Sequence, residues 1–331
     1  MTDSEAAPPR DPSPYDLGRP SQSEAPLVSV VIPTLNRPQV VCRAVASVQS
    51  QTYQNIEILV VIDGHDPQTV ENLVALNDNR IKVISHGRNM GPGPARNTGI
   101  RAAAGFWIAF LDDDDEWLPN KLELQVRAAQ QLPRQENSIM TCRVYAEFGS
   151  NRAVWPARPP AESQHISEYL IDRPNLLARP GYVATPTIML KRSLALRFPF
   201  QNDGDHEDWS WLLRLAHDAH AKLHFVWEPL VAVKISDTLT SRSHRNEWRV
   251  SYDWAQTYRA MMTRMAYASF LLTKVGAKAR RVQDREAFLT ILRSAFALGS
   301  PRLRHLAFFL GLWFIPLSAG HKLFTFSLKR S

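Results

Sequence analysis

The chain has 331 residues, of which 44% are apolar and 21% charged, a composition typical of a globular protein that can bury a large core. Its net charge of +7 is unevenly placed: residues 255–331 have thirteen Lys or Arg and two acids, a local charge of +11, which leaves −4 for residues 1–254. Cys42 and Cys142 match no metal-binding or redox spacing, and the N-terminus lacks the features of a secretory signal. These features argue against a secreted protein stabilised by disulfides and predict a cytoplasmic protein with buried free thiols.

Alternating strands and helices follow a proline-rich start. Residues 1–26 contain six prolines and no apolar periodicity, which predicts a disordered leader. The predicted strands, each a short apolar run, are Leu27–Ile32, Ile56–Ile62, Ile81–Ser85 and Phe106–Leu111. The predicted helices begin at about Pro38, Thr69, Ala95 and Pro119. This alternation predicts an α/β fold in which helices flank a mostly parallel sheet. Ligands bind such sheets beyond the carboxyl ends of the strands.

Five consecutive acids, Asp112–Glu116, follow the fourth predicted strand. A buried strand cannot contain such a run, so the acids are expected in the loop at its tip. Three alternatives are a solvated surface, an EF-hand loop and acids that favour the start of the next helix. The EF-hand fails because Trp117 stands where its sharp turn requires glycine, and the helix accounts for only one or two acids. Mutual repulsion among the charges and their oxygen-only chemistry predict a hard cation here, Mg2+ or Mn2+.

A glycine-rich segment, Asn89–Gly99, precedes the fourth strand. Arg96 stands where a dinucleotide-binding fingerprint requires its third glycine, and no Gly-Lys-Ser/Thr follows as in a P-loop. The segment therefore predicts a rigid turn that leads into a helix. Arg96 has three open interpretations: it contacts a diphosphate, it pairs with the acidic loop, or it is a solvated helix residue.

A second acidic stretch precedes a predicted amphipathic helix, Trp209–Ala216. Its acids are Asp203, Asp205, Glu207 and Asp208. One acid is enough to cap a helix, so four carboxylates within six residues indicate an additional role. A carboxylate that faces a metal-holding loop is a candidate general base.

The chain ends in a helical, basic region that begins at about Trp254. Residues 306–319 form an uncharged apolar run, with arginines before it and Lys322 after it. A membrane-spanning helix needs about 20 apolar residues, whereas this run has fourteen and includes Pro316. Two interpretations stay open: a monotopic anchor attracted to anionic lipids by its Lys and Arg residues, or a helix packed on the body of the protein.

Several motifs, taken together and in order, resemble family 2 of the inverting glycosyltransferases. They are Val28–Arg37, Gln51–Tyr53, Glu57–Gly64, Ala95–Gly99, Phe110–Trp117 and Glu207–Trp209. The resemblance covers about residues 27–235 and implies a Rossmann-like GT-A domain, expected over residues 27–250. The helical, basic character of the tail predicts a C-terminal extension over residues 251–331. Ile62 departs from the family, since many members have Asp there. The Gln-x-x-Arg-Trp signature of processive members is absent, which argues against a channel-forming polysaccharide synthase.

The resemblance implies which residues contact the nucleotide sugar. Those expected to lie against the nucleotide at the end of the first strand are Pro33, Thr34 and Asn36. Asp63 would bind the base and ribose, and Arg96 is our additional candidate for a diphosphate contact. Asp112–Asp114 matches the family's DxD motif, in which Asp112 would contact the ribose and Asp113 is a further donor-binding candidate.

The resemblance also implies a metal site and a catalytic base. Asp114, the last residue of the DxD motif, would contact the metal that bridges the diphosphate, with Asp112 as a second candidate ligand. His244 is a third candidate, although an isolated histidine is more often structural. Asp208 matches the usual catalytic base and is preferred to Glu207, the other acid of the pair. A base opposite the leaving group permits a single displacement with inversion.

The sequence thus predicts an inverting glycosyltransferase that depends on Mn2+ or Mg2+ and acts in the cytoplasm at the inner face of the membrane. The expected donor is a nucleotide-diphosphate sugar, preferably a UDP-sugar, and the expected acceptor is a cell-envelope saccharide or a polyprenyl-linked sugar. The basic tail is expected to contact the membrane, and no nucleic-acid partner is expected. An inactive nucleotide-sugar-binding module and a sugar nucleotidyltransferase stay open as alternatives. The nucleotidyltransferase would be expected to have a glycine-rich phosphate loop where Pro33–Arg37 stands.

Overall fold

A computed structural model describes residues 25–133, 135–176, 178–235 and 248–314. The predicted leader lies outside this range except for its last two residues. The metal-ligand candidate His244 and residues 315–319 of the apolar run also lie outside it.

The described residues form nine strands and twelve α-helices. The strands β1–β9 are Val28–Thr34, Ile56–Ile62, Ile81–Ser85, Trp107–Phe110, Glu116–Trp117, Ser138–Phe148, Asn151–Trp155, Met189–Lys191 and Lys222–Lys234. The helices α1–α12 are Pro38–Gln49, Pro67–Ala75, Pro92–Ala102, Lys121–Gln130, Ile166–Ile171, Arg192–Arg197, Glu207–Asp218, Trp248–Thr257, Arg264–Phe270, Gly276–Arg281, Arg285–Leu298 and Leu303–Phe314. A π-helical turn, Leu271–Val275, joins α9 to α10.

One half of the central sheet is parallel, with the strand order β3-β2-β1-β4. Its register pairs Thr34 with Ile62 on β2 and Val31 with Phe110 on β4. β1, β2 and β4 therefore end at the same edge of the sheet. The predicted α/β fold is confirmed, and β2 and β3 have the predicted bounds.

The other half of the sheet is mixed and continues in the order β4-β8-β6-β9-β5, with β7 paired to β6. β8 is antiparallel to both of its neighbours, whereas β6 and β9 are parallel. The register between β6 and β9 shifts at Cys142–Val144, an irregularity of the kind that bends a strand. β5 pairs Glu116 with Ala232 of β9. The far end of the acidic loop is thus attached to this mixed half.

Hydrophobic side chains fill a core on each face of the sheet. Along β1, Val30 and Ile32 belong to one buried cluster and Val31 belongs to the other, as the alternation of side chains along a strand requires. β1 is buried over its whole length, which explains its continuous apolar sequence. Cys142 is buried and Cys42 is partly buried; both are free thiols.

The C-terminal helices share one of these cores with the sheet. Trp254 of α8, Tyr267 of α9 and Phe309 of α12 belong to the buried cluster that contains Val31. α10 approaches α12 so closely that a Cβ atom on Gly276 would lie 2.8 Å from the Phe309 ring. The boundary predicted at residue 250 therefore divides two stretches of sequence that pack together. None of the described helices has the length and apolar character needed to cross a bilayer.

Candidate active site

Residues at the end of β1 form a hydrogen bond and ion pairs with the acidic loop. Thr34 Oγ1 donates a hydrogen bond to Asp113 Oδ2 at 2.7 Å. Arg37 Nη1 lies 2.9 Å from Asp113 Oδ1 and 3.0 Å from Asp114 Oδ2. Between them, the exposed Asn36 has a φ of +52°, in the left-handed region that asparagine tolerates. The middle carboxylate of Asp112–Asp114 is therefore held by protein groups, whereas that of Asp114 is 49% exposed.

Asp63, just beyond β2, organises the glycine-rich segment. Its carboxylate accepts hydrogen bonds from the backbone N–H groups of Met90 at 2.9 Å and Gly91 at 2.7 Å, and it lies 2.9 Å from His86 Nδ1. Gly91 has a φ of +101°, which glycine adopts without strain. These contacts fix the start of α3, the helix that carries Arg96.

Arg96 joins the two acidic stretches. Its Nη2 donates to Asp112 Oδ1 at 2.7 Å, and its Nη1 donates to Glu207 Oε1 at 3.0 Å and lies 3.6 Å from Asp208 Oδ1. The side chain is only 7% exposed, and its guanidinium carbon lies 5.3 Å from the centre of the Phe200 ring. Of the interpretations left open for Arg96, the structure shows the pairing with the acidic loop.

The acid pair at the start of α7 is divided between two environments. Asp208 lines a pocket and has a side chain that is 41% exposed. Glu207 is buried beneath α3, where a Cβ atom on Gly93 would lie 2.6 Å from its Oε1. α7 begins at Glu207, two residues before the predicted start at Trp209, because acids in the first turn interact favourably with the helix dipole.

Burial and neighbouring charges set the proton affinities in this network. Burial raises the pKa of Asp208, Arg96 opposes that rise, and Asp112 adds to it. Burial alone would lower the pKa of Arg96, but Asp112, Asp208 and Glu207 together raise it above its ordinary value. Arg96 is therefore a permanent cation, and Asp208 binds a proton more readily than an ordinary aspartate does.

A pocket of about 210 Å³ lies between the two acidic stretches. The acidic stretches line it with Asp112, Asp115, Asp205 and Asp208. Its remaining wall includes Trp209 and the segment Tyr182–Pro186, which leads into β8. The prolines of this region predict loops of the kind that assemble a variable pocket, but no residue of Tyr182–Pro186 was singled out, because no periodic pattern marks a strand or helix there.

The sequence model of glycosyl transferase family 2 matches residues 29–197. The chain belongs to glycosyltransferase family 2. It is similar to the UDP-Glc:alpha-D-GlcNAc-diphosphoundecaprenol beta-1,3-glucosyltransferase WfgD of Escherichia coli, with 30% identity over 57% of this chain and 70% of that protein. It is also similar to the amylovoran biosynthesis glycosyltransferase AmsB of Erwinia amylovora, with 26% identity over 71% of this chain and 79% of that protein.

Solved structures resemble this family 2 glycosyltransferase in fold. S. aureus TarS 1-349 in complex with UDP-GlcNAc matches with a TM-score of 0.51 and 18% identity, over 86% of this chain and 79% of that chain. At this level of identity the likeness shows the fold alone. The predicted GT-A fold and the predicted family are both confirmed.

The acidic loop of the glycosyltransferase fits the ligand set of a hard divalent cation. Mg2+ in such sites is held by one or two carboxylates together with phosphate oxygens of the substrate. Asp112 and Asp114 are 30% and 49% exposed, so both carboxylates remain accessible from outside the protein. Among the residues that the structure describes, no cluster of three or more His, Cys, Asp or Glu is placed to hold an ion. The fit therefore depends on phosphate oxygens that a substrate would bring.

The residues predicted to contact the nucleotide differ in accessibility. Pro33 and Thr34 are buried in β1, whereas Asn36 is exposed beyond it. Asp63 is 4% exposed and is occupied by the backbone of the glycine-rich segment. The structure brings Thr34 together with the acidic loop, and the contacts of all four residues with a nucleotide stay predictions.

Proposed function

We propose that this family 2 glycosyltransferase transfers a sugar from a nucleotide-diphosphate sugar to a saccharide or lipid-linked acceptor of the cell envelope, with inversion at the sugar carbon. One observation carries the proposal: Arg96 ties Asp112 to the start of α7, so that the acidic loop and Asp208 line the same pocket. An inverting transfer requires such an arrangement, with leaving-group contacts and a base around one reaction centre.

The donor diphosphate is proposed to lie against the acidic loop. The name of one relative supports a UDP-sugar donor, since WfgD is named a UDP-Glc:alpha-D-GlcNAc-diphosphoundecaprenol beta-1,3-glucosyltransferase. Held by Asp112 and Asp114, Mg2+ or Mn2+ would stabilise the negative charge that develops on the departing diphosphate. Arg37, which is 50% exposed, pairs with Asp113 and Asp114 and so adds positive charge near the same position.

Asp208 is proposed to be the general base. Its carboxylate takes the proton from an acceptor hydroxyl while that oxygen forms a bond to the donor sugar carbon. The bond from that carbon to the diphosphate oxygen breaks in the same step, and the diphosphate leaves with the electron pair. Because attack comes from the face opposite the leaving group, the configuration inverts. Burial raises the pKa of Asp208 and so strengthens it as a proton acceptor, and the charge of Arg96, 3.6 Å away, limits that rise.

The test is turnover of purified protein, measured as release of UDP from a UDP-sugar in the presence of Mn2+ and a membrane extract that supplies acceptor. Asp208→Asn should lower the rate by about 10²- to 10⁴-fold, the usual contribution of a general base, while donor binding persists. Asp114→Ala should weaken donor binding that depends on Mn2+. Asp218→Asn is the matched control, because Asp218 is an exposed acid at the far end of the same helix.

Two alternative functions give different results in that assay. If Asp208→Asn and Asp114→Ala both retain wild-type turnover, the mechanism is wrong. A wild-type protein that binds UDP-sugars but never turns over with any acceptor extract would instead be a binding module. Release of pyrophosphate from a nucleoside triphosphate and a sugar phosphate would identify a nucleotidyltransferase.

We also propose that α11 and α12 hold the enzyme at the cytoplasmic face of the membrane. Their exposed apolar residues are Leu289, Phe296, Leu303, Leu310 and Phe314, of which Leu303 is 82% and Phe314 74% exposed. Exposed Arg285 and Arg293 on α11 would attract anionic lipids. Leu303→Ser with Phe314→Ser should reduce co-sedimentation with phosphatidylglycerol vesicles, whereas the control Val74→Ser with Leu196→Ser should not. Equal sedimentation of both double variants would rule out this surface.

A further inference from the structure

Five basic residues lie close enough to Lys274, or include it, for their charges to interact, and are named here the cationic cluster. They are Arg173, Arg179, Lys274, Lys278 and Arg281. Lys274, Lys278 and Arg281 follow one another at intervals of four and three residues through the π-helical turn and α10, a spacing that keeps side chains on one side of a helix. The two arginines come from the segment that follows α5. The cluster is thus assembled by two separate parts of the chain.

The cluster adjoins the wall of the pocket formed by α7 and the turn before it. Lys278 Nζ lies 2.9 Å from Asp205 Oδ2, and Lys274 Nζ lies 5.6 Å from the centre of the Trp209 ring. Asp205 and Trp209 line the pocket together with Asp208. A group held by these lysines would therefore lie next to the proposed catalytic base.

The positive charge of the cluster is poorly compensated. Within the described parts of the chain, only Lys278 of the five has an acidic group within ion-pair distance. Arg173 Nε is buried without a hydrogen-bond partner among the described residues. Removal of solvent, followed by the charges of the other four residues, lowers the pKa of Lys274 to about 8. Lys274 nevertheless remains exposed, so solvent reaches part of its side chain. A bound anion would reduce the repulsion among the positive charges of the cluster.

An apolar surface begins where the cluster ends. The guanidinium of Arg173 lies 4.6 Å from the ring centre of Phe308 on α12, the helix that exposes Leu303 and Phe314. Leu176, three residues after Arg173, is 47% exposed. Pocket, cationic cluster and apolar surface therefore follow one another across the protein. A sugar, a phosphate group and a hydrocarbon chain have the same order in a lipid-linked sugar.

We propose that the cationic cluster binds the diphosphate of a lipid-linked acceptor and so holds the acceptor sugar at Asp208. This inference rests on the proposed function and narrows its acceptor to a sugar carried on a lipid diphosphate. Arginine and lysine are suited to phosphate oxygens, arginine through paired hydrogen bonds and lysine as a compact charge. The name of the relative WfgD contains such an acceptor, a diphosphoundecaprenol-linked sugar. The donor diphosphate is assigned elsewhere, to the acidic loop.

The test uses farnesyl diphosphate as the probe, with farnesol as its uncharged counterpart, and measures binding to the full chain by calorimetry. EDTA is present so that metal at the acidic loop cannot recruit the probe. Wild type should bind farnesyl diphosphate more tightly than farnesol. Arg179→Ala with Lys274→Ala should weaken binding of the diphosphate by about tenfold or more, since charged hydrogen bonds to phosphate are lost. Lys274→Arg should retain most of the affinity.

The matched control is Arg101→Ala with Lys222→Ala, which removes two exposed positive charges far from the cluster in sequence. It should bind farnesyl diphosphate as wild type does. Binding of UDP in the presence of Mn2+ should be unchanged in both double variants, which shows that they are folded with an intact donor site. If Arg179→Ala impairs folding, Lys274→Ala alone serves, because its side chain is exposed.

Three results would overturn the proposal. Wild type could show no preference for farnesyl diphosphate over farnesol, the cluster variant (Arg179→Ala with Lys274→Ala) could keep its affinity for farnesyl diphosphate, or the control double variant could lose as much affinity as the cluster variant. Phosphatidylglycerol vesicles distinguish the other source of phosphate. If the cluster variant loses binding to vesicles but keeps farnesyl diphosphate, the cluster is a membrane contact and the proposal is wrong. Failure of wild type to bind any UDP-sugar would count against the proposed function itself, independently of the cluster.

Discussion

The two acidic stretches around the pocket differ in how their charges are neutralised. In Asp112–Glu116, Arg96 pairs with the first acid and Arg37 with the second and third. In Asp203–Asp208, Glu207 is buried against the same Arg96 and Asp205 pairs with Lys278, whereas the Asp208 carboxylate lies farther from Arg96 and is 41% exposed. The two stretches thus share one cation, and the acid with the longest contact to it faces the pocket. A weakly paired carboxylate at that position is what a proton acceptor requires.

Removal of Arg96 should have the largest effect, because both acidic stretches are paired with this one cation. Arg96→Met leaves Glu207 buried without its cation and releases Asp112 from α7. Deleting one partner of a buried ion pair costs about 3–5 kcal/mol, so the free energy of unfolding in urea should fall by that amount. Displacement of the acidic loop from Asp208 should lower UDP release by roughly 10²-fold or more.

Arg101→Met is the control for this change, because Arg101 is an exposed arginine in the last turn of the same helix. Its unfolding free energy and turnover should equal those of wild type. If Arg96→Met unfolds at wild-type urea concentrations, Arg96 does not hold the two stretches together.

A single methyl group on Gly93 should displace Glu207, in the acidic stretch Asp203–Asp208, without removing any charge. In Gly93→Ala the new Cβ would lie 2.6 Å from Glu207 Oε1 and 2.8 Å from its Cδ. The end of a glutamate normally moves aside, but Glu207 is buried and bonded to Arg96. Such overpacking costs about 1–3 kcal/mol of folding free energy. Thermal unfolding should show this loss of stability, and the UDP-release assay should show reduced turnover. Gly87→Ala has open space around its Cβ and should be neutral; an equal effect of both changes would contradict the prediction.

The smallest expected effect on stability comes from Asp115, inside the acidic stretch Asp112–Glu116. Asp115 is 5% exposed, and burial, followed by the charges of Asp112 and Asp114, raises its pKa well above the ordinary value. The folded state therefore binds this proton more tightly than the unfolded state, so stability decreases as pH rises through the raised pKa. Asp115→Asn should increase the unfolding free energy near neutral pH by on the order of 1 kcal/mol.

This gain should disappear at about pH 4 or below, near the ordinary aspartate pKa, because Asp115 is then protonated in both states. Urea unfolding at several pH values, in EDTA, measures the difference between Asp115→Asn and wild type. A gain that persists unchanged in acid would show that charge is not its cause. Asp218→Asn, at an exposed position, should show no comparable dependence.

The first half of the fold was accessible to sequence reasoning, because buried parallel strands are continuous apolar runs and the acids mark where they end. β2 and β3 were predicted with their observed bounds for this reason. The mixed half was not, since the pairing of β6 with β9 joins segments separated by about eighty residues and carries no local signal. The residues of the wall segment Tyr182–Pro186 could not be singled out either, because prolines interrupt any periodic pattern there.

The sequence could predict which residues belong to the candidate site, but not which of them contact one another. The motifs predicted Asp112 and Asp208 as parts of one candidate site, and both line the pocket. The role of Arg96 could not be decided, because its partners lie 16 and 111 residues away along the chain. Glu207 and Asp208 are adjacent in sequence, and only the packing of α3 on α7 places one beneath Arg96 and the other in the pocket.

The π-helical turn Leu271–Val275 has a consequence for how this protein tolerates insertions and deletions. A π-helical turn accommodates one residue more than an α-helical turn does, and such turns are frequent at functional sites. Deletion of one residue there would leave an ordinary α-helical turn, so α10 should keep its orientation relative to α9. Gly276 should then stay against Phe309, and only the residues of the turn itself, Lys274 among them, should change direction. A chain shortened by one residue in this turn should therefore fold normally but present Lys274 differently to the proposed acceptor site.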